Sequence, residues 1–351
     1  MLLYKKNLQF IQTLRCIAYI LIVFFYITVT YCNTHHLAFL GNVFIFGGEG
    51  VDVFFILSGF IITYSNIKSI PKTADIGKFL KKRIIRIYSI YWVIISLILL
   101  LQLFLPFFYK THFQFTITKL LNTYLLLLNY FMLNDVNWSL TNKLFFYLLF
   151  IIALITPKKN HILLLLFIYL AFLILFSTVL DVKSPSNNFI YLLLFPINIV
   201  VLLGIDVVMS IKIFSINSSI PFLILGIVLF IDAAIFTNTD NFILNNSYNR
   251  VILYGFPSFI IILAFVKYEL NNQVNIPSLF LKLSDASYSI YLFHLPLVAT
   301  FFKIVFKLHI TNYLLIVLLS GGLVIAVCYA SIVIYNKIEM PLIKWFNKKL
   351  I

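Results

Sequence analysis

Two arginines spaced for one helix face are the clearest chemical feature of this sequence. Arg83 and Arg86 lie three positions apart at the end of a basic run, 78–86, that contains five Lys and Arg residues. Side chains three apart on a helix are neighbours, and paired guanidinium groups suit phosphate geometrically. The run is therefore either an anchor that attracts anionic lipid or a cradle for the phosphates of a ligand.

A histidine inside an apolar segment is the second chemical feature. His294 lies in the segment 287–296, which reads Ser-Tyr-Ser-Ile-Tyr-Leu-Phe-His-Leu-Pro. Ser287, Tyr291 and His294 recur at helical spacings of four and three, so they can line one polar stripe. Because imidazole changes its charge near neutral pH, this histidine is either a satisfied core group or an acid–base group.

Three further polar sites stand at or within apolar stretches, where ionisable groups are costly. Arg15 is either an arginine that reaches back to the membrane interface or a functional cation. Asp52 opens an apolar segment and is either a helix cap or a catalyst. The pair Ser58 and Gly59 either allows close helix packing or takes part in chemistry.

The elements that must position these residues are hydrophobic. Of 351 residues, 62% are hydrophobic and 11% are charged, whereas a soluble domain is about 45–50% apolar and about 25% charged. An ordinary soluble domain is therefore excluded. The three cysteines lack a Cys-x-x-Cys pair, and neither a Gly-rich phosphate loop nor a metal-binding cluster appears, so no metal site is predicted. The formal charge of +15 is interpreted as membrane topology, and no nucleic-acid partner is expected.

Ten stretches without a run of charges approach the roughly 20 residues that a helix needs to cross a bilayer. They run over 12–31, 43–64, 87–107, 138–156, 161–180, 189–208, 219–236, 251–267, 285–306 and 312–335. The apolar segment 120–134 is shorter and is predicted not to span. This ordering, with the N-terminus inside, places nearly all basic clusters on the cytoplasmic side. The sequence predicts one all-α membrane domain, 1–351, a polytopic helical bundle of about ten transmembrane helices with both termini cytoplasmic.

Six segments, taken in order, resemble the membrane acyltransferase 3 family over nearly the whole chain. They are Leu14-Arg15, 50–60 with Gly-Val-Asp and Ser-Gly-Phe, 83–92 with both arginines, 138–141 (Trp-Ser-Leu-Thr), 287–296, and 338–341 (Ile-Glu-Met-Pro). The resemblance implies ten helices in the inner membrane of a bacterium. It also implies transfer of an acyl group, commonly acetyl, from cytosolic acyl-coenzyme A to a sugar hydroxyl of surface polysaccharide such as O-antigen.

The resemblance implies roles for particular residues. Arg83 and Arg86, together with Ser58, would bind acetyl-coenzyme A, the donor. The catalytic group would comprise Arg15, Tyr26, His294 and Glu339. The expected partners are membrane lipid, the acyl donor, and a surface glycan or lipid-linked sugar as acceptor.

Two positions depart from the family pattern. Tyr26, eleven residues after Arg15, replaces a histidine, and Lys143 replaces a glutamate. Eleven residues are about three helical turns, so Tyr26 keeps the face of Arg15, but a tyrosine with a pKa near 10 is a poor base at neutral pH. Three explanations follow. The protein is a degenerate homologue, or it uses another base among His35, His36, Glu49 and His294, or it transports or binds a glycan or lipid.

Overall fold

The computed structural model describes most of the chain. The described residues are 8–66, 73–104, 116–127, 136–155, 168–169, 171–173, 175, 189–213, 219–239 and 248–350. All regular elements in these ranges are helices. The all-α class predicted from the sequence is confirmed.

Twelve helices are named below, all within the described ranges. They are α1 (Gln9–His35), α2 (Gly50–Asn66), α3 (Thr73–Phe104), α4 (Ile117–Leu125), α5 (Asn137–Ile155), α6 (Phe189–Leu194), α7 (Ile197–Ile213), α8 (Ile220–Thr239), α9 (Tyr248–Asn271), α10 (Ser278–Asp285), α11 (Ser287–Lys307) and α12 (Tyr313–Leu350). Two short 3₁₀ turns, Leu40–Asn42 and Ile45–Glu49, connect α1 to α2.

Seven helical segments in the described part of the chain are long and apolar enough to cross a membrane. They are α1, Ile45–Ser65 with α2, Ile76–Phe104 within α3, Ile220–Thr237 within α8, α9, α11 and α12. The predicted spans 138–156 and 189–208 coincide with α5 and, in part, with α7, while 161–180 falls largely outside the described residues. The chain is thus an integral membrane protein, and the count of ten spans remains a prediction.

Helices α2 and α7 approach each other backbone to backbone. A Cβ atom on Gly59 would collide with the carbonyl oxygen of Val201, and one on Gly204 would collide with the carbonyl oxygen of Ile56. Only glycine allows this approach in both helices, so the packing interpretation of Gly59 is confirmed. The contact also determines where the neighbouring Ser58 lies.

Four helix termini meet at one end of the bundle, here called the basic end. The amides of Gln9 and Phe10, at the start of α1, donate to the Glu269 carboxylate near the end of α9, with Phe10 N 2.9 Å from Oε2. Lys81 Nζ, near the start of α3, donates to the carbonyl oxygen of Leu350, at the end of α12, at 3.3 Å. The carboxylate supplies acceptors that the first turn of a helix lacks. Which compartment the basic end faces remains a prediction.

The short helix α4 is held by aromatic side chains of α3. Tyr88, Tyr91 and Trp92 each donate a hydrogen bond to a carbonyl oxygen at the end of α4. The acceptors, in that order, are Leu125, Thr123 and Tyr124, at 2.7, 2.6 and 3.0 Å. Nine residues of helix are about 14 Å long, too short to span a bilayer, which agrees with the non-spanning prediction for the described part of 120–134.

Candidate functional site

A small cavity at the basic end brings together four of the seven predicted site residues. It measures about 50 Å³ and is lined by Arg15 of α1, Ser58 of α2, and Arg83 and Arg86 of α3, together with residues of α5 and α11. A cavity of this volume holds a small group or a few water molecules rather than a whole coenzyme. Arg86 is exposed, whereas Arg15 and Arg83 are half-buried, so Arg86 marks the side open to solvent.

The two arginines of α3 lie as their spacing predicts. Both line the cavity, which places them on one face of the helix. The guanidinium carbon of Arg83 is 5.2 Å from the centroid of the Phe79 ring and 6.0 Å from that of Tyr147. Stacking on aromatic faces holds an arginine side chain while leaving its N–H groups free to bind an anion.

Lys143 of α5 is a fourth basic residue in the cavity lining. Its Nζ atom lies 4.2 Å from the centroid of the Phe54 ring, within the range of a cation–π contact. From the sequence, Lys143 is only a departure from the family pattern, because no local pattern indicates which way α5 faces. Among the described residues that line the cavity, none is acidic.

A row of packed aromatic rings extends from the cavity into the bundle. Tyr19 and Phe54 line the cavity, and their ring centroids are 5.3 and 6.2 Å from that of Tyr291. Tyr291 is 5.8 Å from the ring of His294, which is in turn 5.0 Å from the ring of Tyr26. These five residues are called the aromatic column below. Tyr26 and His294 thus lie together, outside the cavity lining.

The polar stripe predicted on α11 is observed. Ser287 lines the cavity, Tyr291 contacts the cavity residue Tyr19, and His294 follows one turn further. The Tyr291 hydroxyl also forms a hydrogen bond with Ser139 Oγ, which ties α11 to α5. The stripe connects the cavity to the histidine.

His294 presents an unpartnered nitrogen. The residue is fully buried, and its Nδ1 atom is 3.2 Å from the carbonyl oxygen of Ile290. Because a carbonyl only accepts hydrogen bonds, Nδ1 carries the proton in the neutral ring and Nε2 presents its lone pair. Nε2 has no hydrogen-bond partner among the described residues. The Nε2 lone pair can therefore accept a hydrogen bond from a group that enters the bundle.

Glu339 positions helices and does not line the cavity. Its Oε2 atom accepts a 2.6 Å hydrogen bond from Ser289 Oγ, which joins α12 to α11. It ends the π-helical turn Tyr335–Glu339. Pro341 follows two residues later and has no N–H to donate within the helix, which favours such a break in the α-helical pattern.

An ion cluster around Arg250 contains two of the acidic residues near the start of α2, Glu49 and Asp52. Arg250 Nε lies 2.6 Å from Glu49 Oε2, and Arg250 NH2 lies 2.7 Å from Asp52 Oδ2. Asp52 is fully buried. It is therefore an ion-pair partner rather than a simple cap. Glu49 forms an ion pair with the same guanidinium group, and this contact disfavours it as the catalytic base.

The other two candidate bases lie at the far end of α1. The ring of His35 stacks on Tyr31 at 4.5 Å, and its Nδ1 atom is 2.8 Å from Thr34 Oγ1. His36 is the exposed cap that follows α1. Neither lines the cavity. Of the four candidate bases, only His294 is connected to the cavity by the aromatic column.

The comparison with known families gives one match. A family model described as an acyltransferase domain matches residues 8–333. The match includes six of the seven predicted site residues and leaves Glu339 just beyond its end. No curated protein and no solved structure matches the chain.

Proposed function

Because the chain belongs to the membrane acyltransferase 3 family, we propose that it transfers an acyl group, acetyl in the simplest case, from cytosolic acyl-coenzyme A to a sugar hydroxyl. The acceptor is a surface polysaccharide, such as O-antigen, or its lipid-linked precursor. The site of action is the inner membrane of a bacterium. The observation that carries the proposal is the row of packed aromatic rings that joins a cavity lined by four basic residues to a buried histidine with an unpartnered nitrogen.

The donor binds at the arginine pair. Arg83 and Arg86 line the cavity and in this proposal bind the phosphates of the donor, since guanidinium groups bind phosphate oxygens in pairs. The pantetheine arm then passes Ser58 and Arg15 and carries the thioester toward the aromatic column.

The transfer step uses His294 as the base. Its Nε2 atom takes the proton of the acceptor hydroxyl, and the hydroxyl oxygen attacks the thioester carbon. The new C–O bond forms, the C–S bond breaks, and the proton passes to the thiolate, so that coenzyme A leaves as a thiol. A positioned base contributes about 10²–10⁴-fold to a rate. Tyr26, in ring contact with His294, shapes this site without acting as a base.

The proposal is tested by expressing the protein in bacteria with a defined surface glycan and measuring ester-linked acetyl by mass spectrometry. We expect acetylation by the parent and its loss in Arg15→Ala, because Arg15 lines the donor cavity. Tyr26→His, which adds a second imidazole beside His294, is expected to raise the level. The matched control is Lys282→Met, an exposed lysine outside the cavity lining.

Two outcomes would contradict the proposal. Acetylation that appears only with Tyr26→His would identify the natural protein as catalytically silent. Movement of the glycan without any acyl donor, unaffected by loss of Arg83 and Arg86, would identify a transporter instead.

A further inference from the structure

We infer that Lys143 is a binding residue for an anionic group of the donor, and that it makes the cavity a four-cation site for a polyanion. The inference rests on the proposed function and concerns a residue to which the family resemblance assigns no such role. The carrying observation is the placement of Lys143 beside Arg15, Arg83 and Arg86 in one lining without an acidic residue.

The clustering of four basic side chains in the cavity favours the binding of an anion. Like charges that share a small, partly desolvated space repel each other strongly. Among the described residues, the salt bridges are those of Arg250 with Glu49 and Asp52, while the carboxylates of Asp285 and Glu339 interact electrostatically with Arg86 without forming a salt bridge. A ligand that brings several negative charges relieves the repulsion of all four cations at once.

The cations converge from three directions. Arg15 comes from α1, the arginine pair from α3, and Lys143 from α5. A phosphate or diphosphate group has oxygens on several sides and can accept hydrogen bonds from several helices. A single-sided basic patch that holds lipid headgroups has no need of a cation from a facing helix.

The contacts of α5 hold Lys143 in this position. Ser139, one turn before it, is hydrogen-bonded to Tyr291. Tyr147, one turn after it, lies beneath the Arg83 guanidinium. The lysine itself lies over Phe54, which lines the same cavity. These contacts place its Nζ atom against Phe54 of the aromatic column, in the same lining as the arginine pair.

The family pattern has a glutamate at the position of Lys143, and the difference in charge between the two residues gives a further argument. An acidic residue at position 143 would form ion pairs with the neighbouring arginines and lower the positive charge of the cavity. A lysine raises that charge, so the two alternatives differ by two units. This chain is therefore expected to depend more strongly on the negative charge of its donor than a relative with the acidic residue.

The experiment measures binding to the full-length protein in lipid nanodiscs, with no acceptor present. Coenzyme A is titrated calorimetrically into the parent, K143M, K143R and K143E, with K282M as the matched control. We expect K143M to weaken binding about tenfold to a hundredfold, the usual effect of losing a hydrogen bond to a charged group. K143E should bind more weakly still, while K143R and K282M should bind like the parent.

Two further probes identify the anionic group. If Lys143 binds a phosphate, K143M weakens coenzyme A and succinyl-coenzyme A by the same factor. A comparison with 3′-dephospho-coenzyme A then shows which phosphate is bound. If it binds the carboxylate of a dicarboxylic acyl group, K143M weakens succinyl-coenzyme A alone.

Equal affinity of the parent and K143M for every probe would overturn the inference. Thermal unfolding and the charge-preserving K143R separate loss of binding from loss of folding. Because no transfer occurs in this assay, a failure of the proposed acyl transfer leaves the binding result interpretable. Unchanged binding in K143M would in turn leave the acyl transfer to be judged by its own assay.

Discussion

The chemistry proposed here depends on a nitrogen of one side chain. His294 is held by the carbonyl of Ile290 through Nδ1, and its other nitrogen is free of partners within the described residues. Tyr26 occupies the position at which the family pattern has a histidine, and it contacts the His294 ring at 5.0 Å. An imidazole group is thus present next to position 26, and it belongs to His294 of α11 rather than to a residue of α1.

Replacing His294 with glutamine should slow acyl transfer by about 10²–10⁴-fold, because the proton acceptor is lost. Coenzyme A binding should stay near that of the parent, since His294 does not line the cavity. Transfer rate and calorimetric affinity are measured on the same preparation. The control is Tyr26→Phe, which keeps the ring contact and is expected to retain most activity. Equal loss of activity in both variants would argue against His294 as the base.

At the scale of elements, the positions of the cavity residues on α2 depend on how this helix packs against its neighbours. Ser58 and Phe54 reach the cavity from a helix whose backbone touches that of α7 at Gly59 and Gly204. The ion cluster of Asp52 with Arg250 holds the opposite end of α2 against α9. These contacts keep one face of α2 toward the cavity.

Gly204→Ala should therefore destabilise the protein and disturb the site together. The added methyl group meets the Ile56 carbonyl oxygen, and overpacking of this kind costs about 1–3 kcal/mol. We expect a lower Tm in nanodiscs and weaker coenzyme A binding. The matched control is Gly322→Ala in α12, where nothing lies within 4 Å of the added atom. An unchanged Tm in Gly204→Ala would show that α2 and α7 are free to separate.

At the scale of the whole molecule, the proposed function requires the basic end to face the cytosol, the compartment of the proposed acyl-coenzyme A donor. Contacts between the start of α1 and the end of α9, and between α3 and the end of α12, place these termini together. The excess of Lys and Arg there favours the cytoplasmic side by the positive-inside rule.

Accessibility labelling of single cysteines in intact cells tests this orientation. In a background that lacks the three native cysteines, Lys81→Cys at the basic end should resist a membrane-impermeant reagent added outside. His36→Cys, at the other end of α1, should react, since both positions are exposed. Lysed cells provide the control in which both positions react. Reaction of Lys81→Cys in intact cells would place the cavity on the side without donor.

The sequence by itself determined that this protein is a helical membrane protein, and it determined which residues of the basic end share a helix face. Long apolar stretches require helices, because backbone polar groups in lipid must be paired within the segment. Helical periodicity then places Arg83 with Arg86, and Ser287 with Tyr291 and His294, since residues three or four apart share a face. These relations lie within one helix, so the amino-acid sequence alone is enough to predict them.

Only the tertiary structure decided which helices face each other. It paired Asp52 with Arg250, 198 positions away, turned Lys143 into the cavity, and brought His294 beside Tyr26. It also directed the side chains of Tyr88, Tyr91 and Trp92 to the end of α4, where each donates a hydrogen bond to a carbonyl oxygen. The physical reason is that the rotation and neighbours of a membrane helix depend on side-chain packing between distant segments, which hydrophobicity along one segment does not specify.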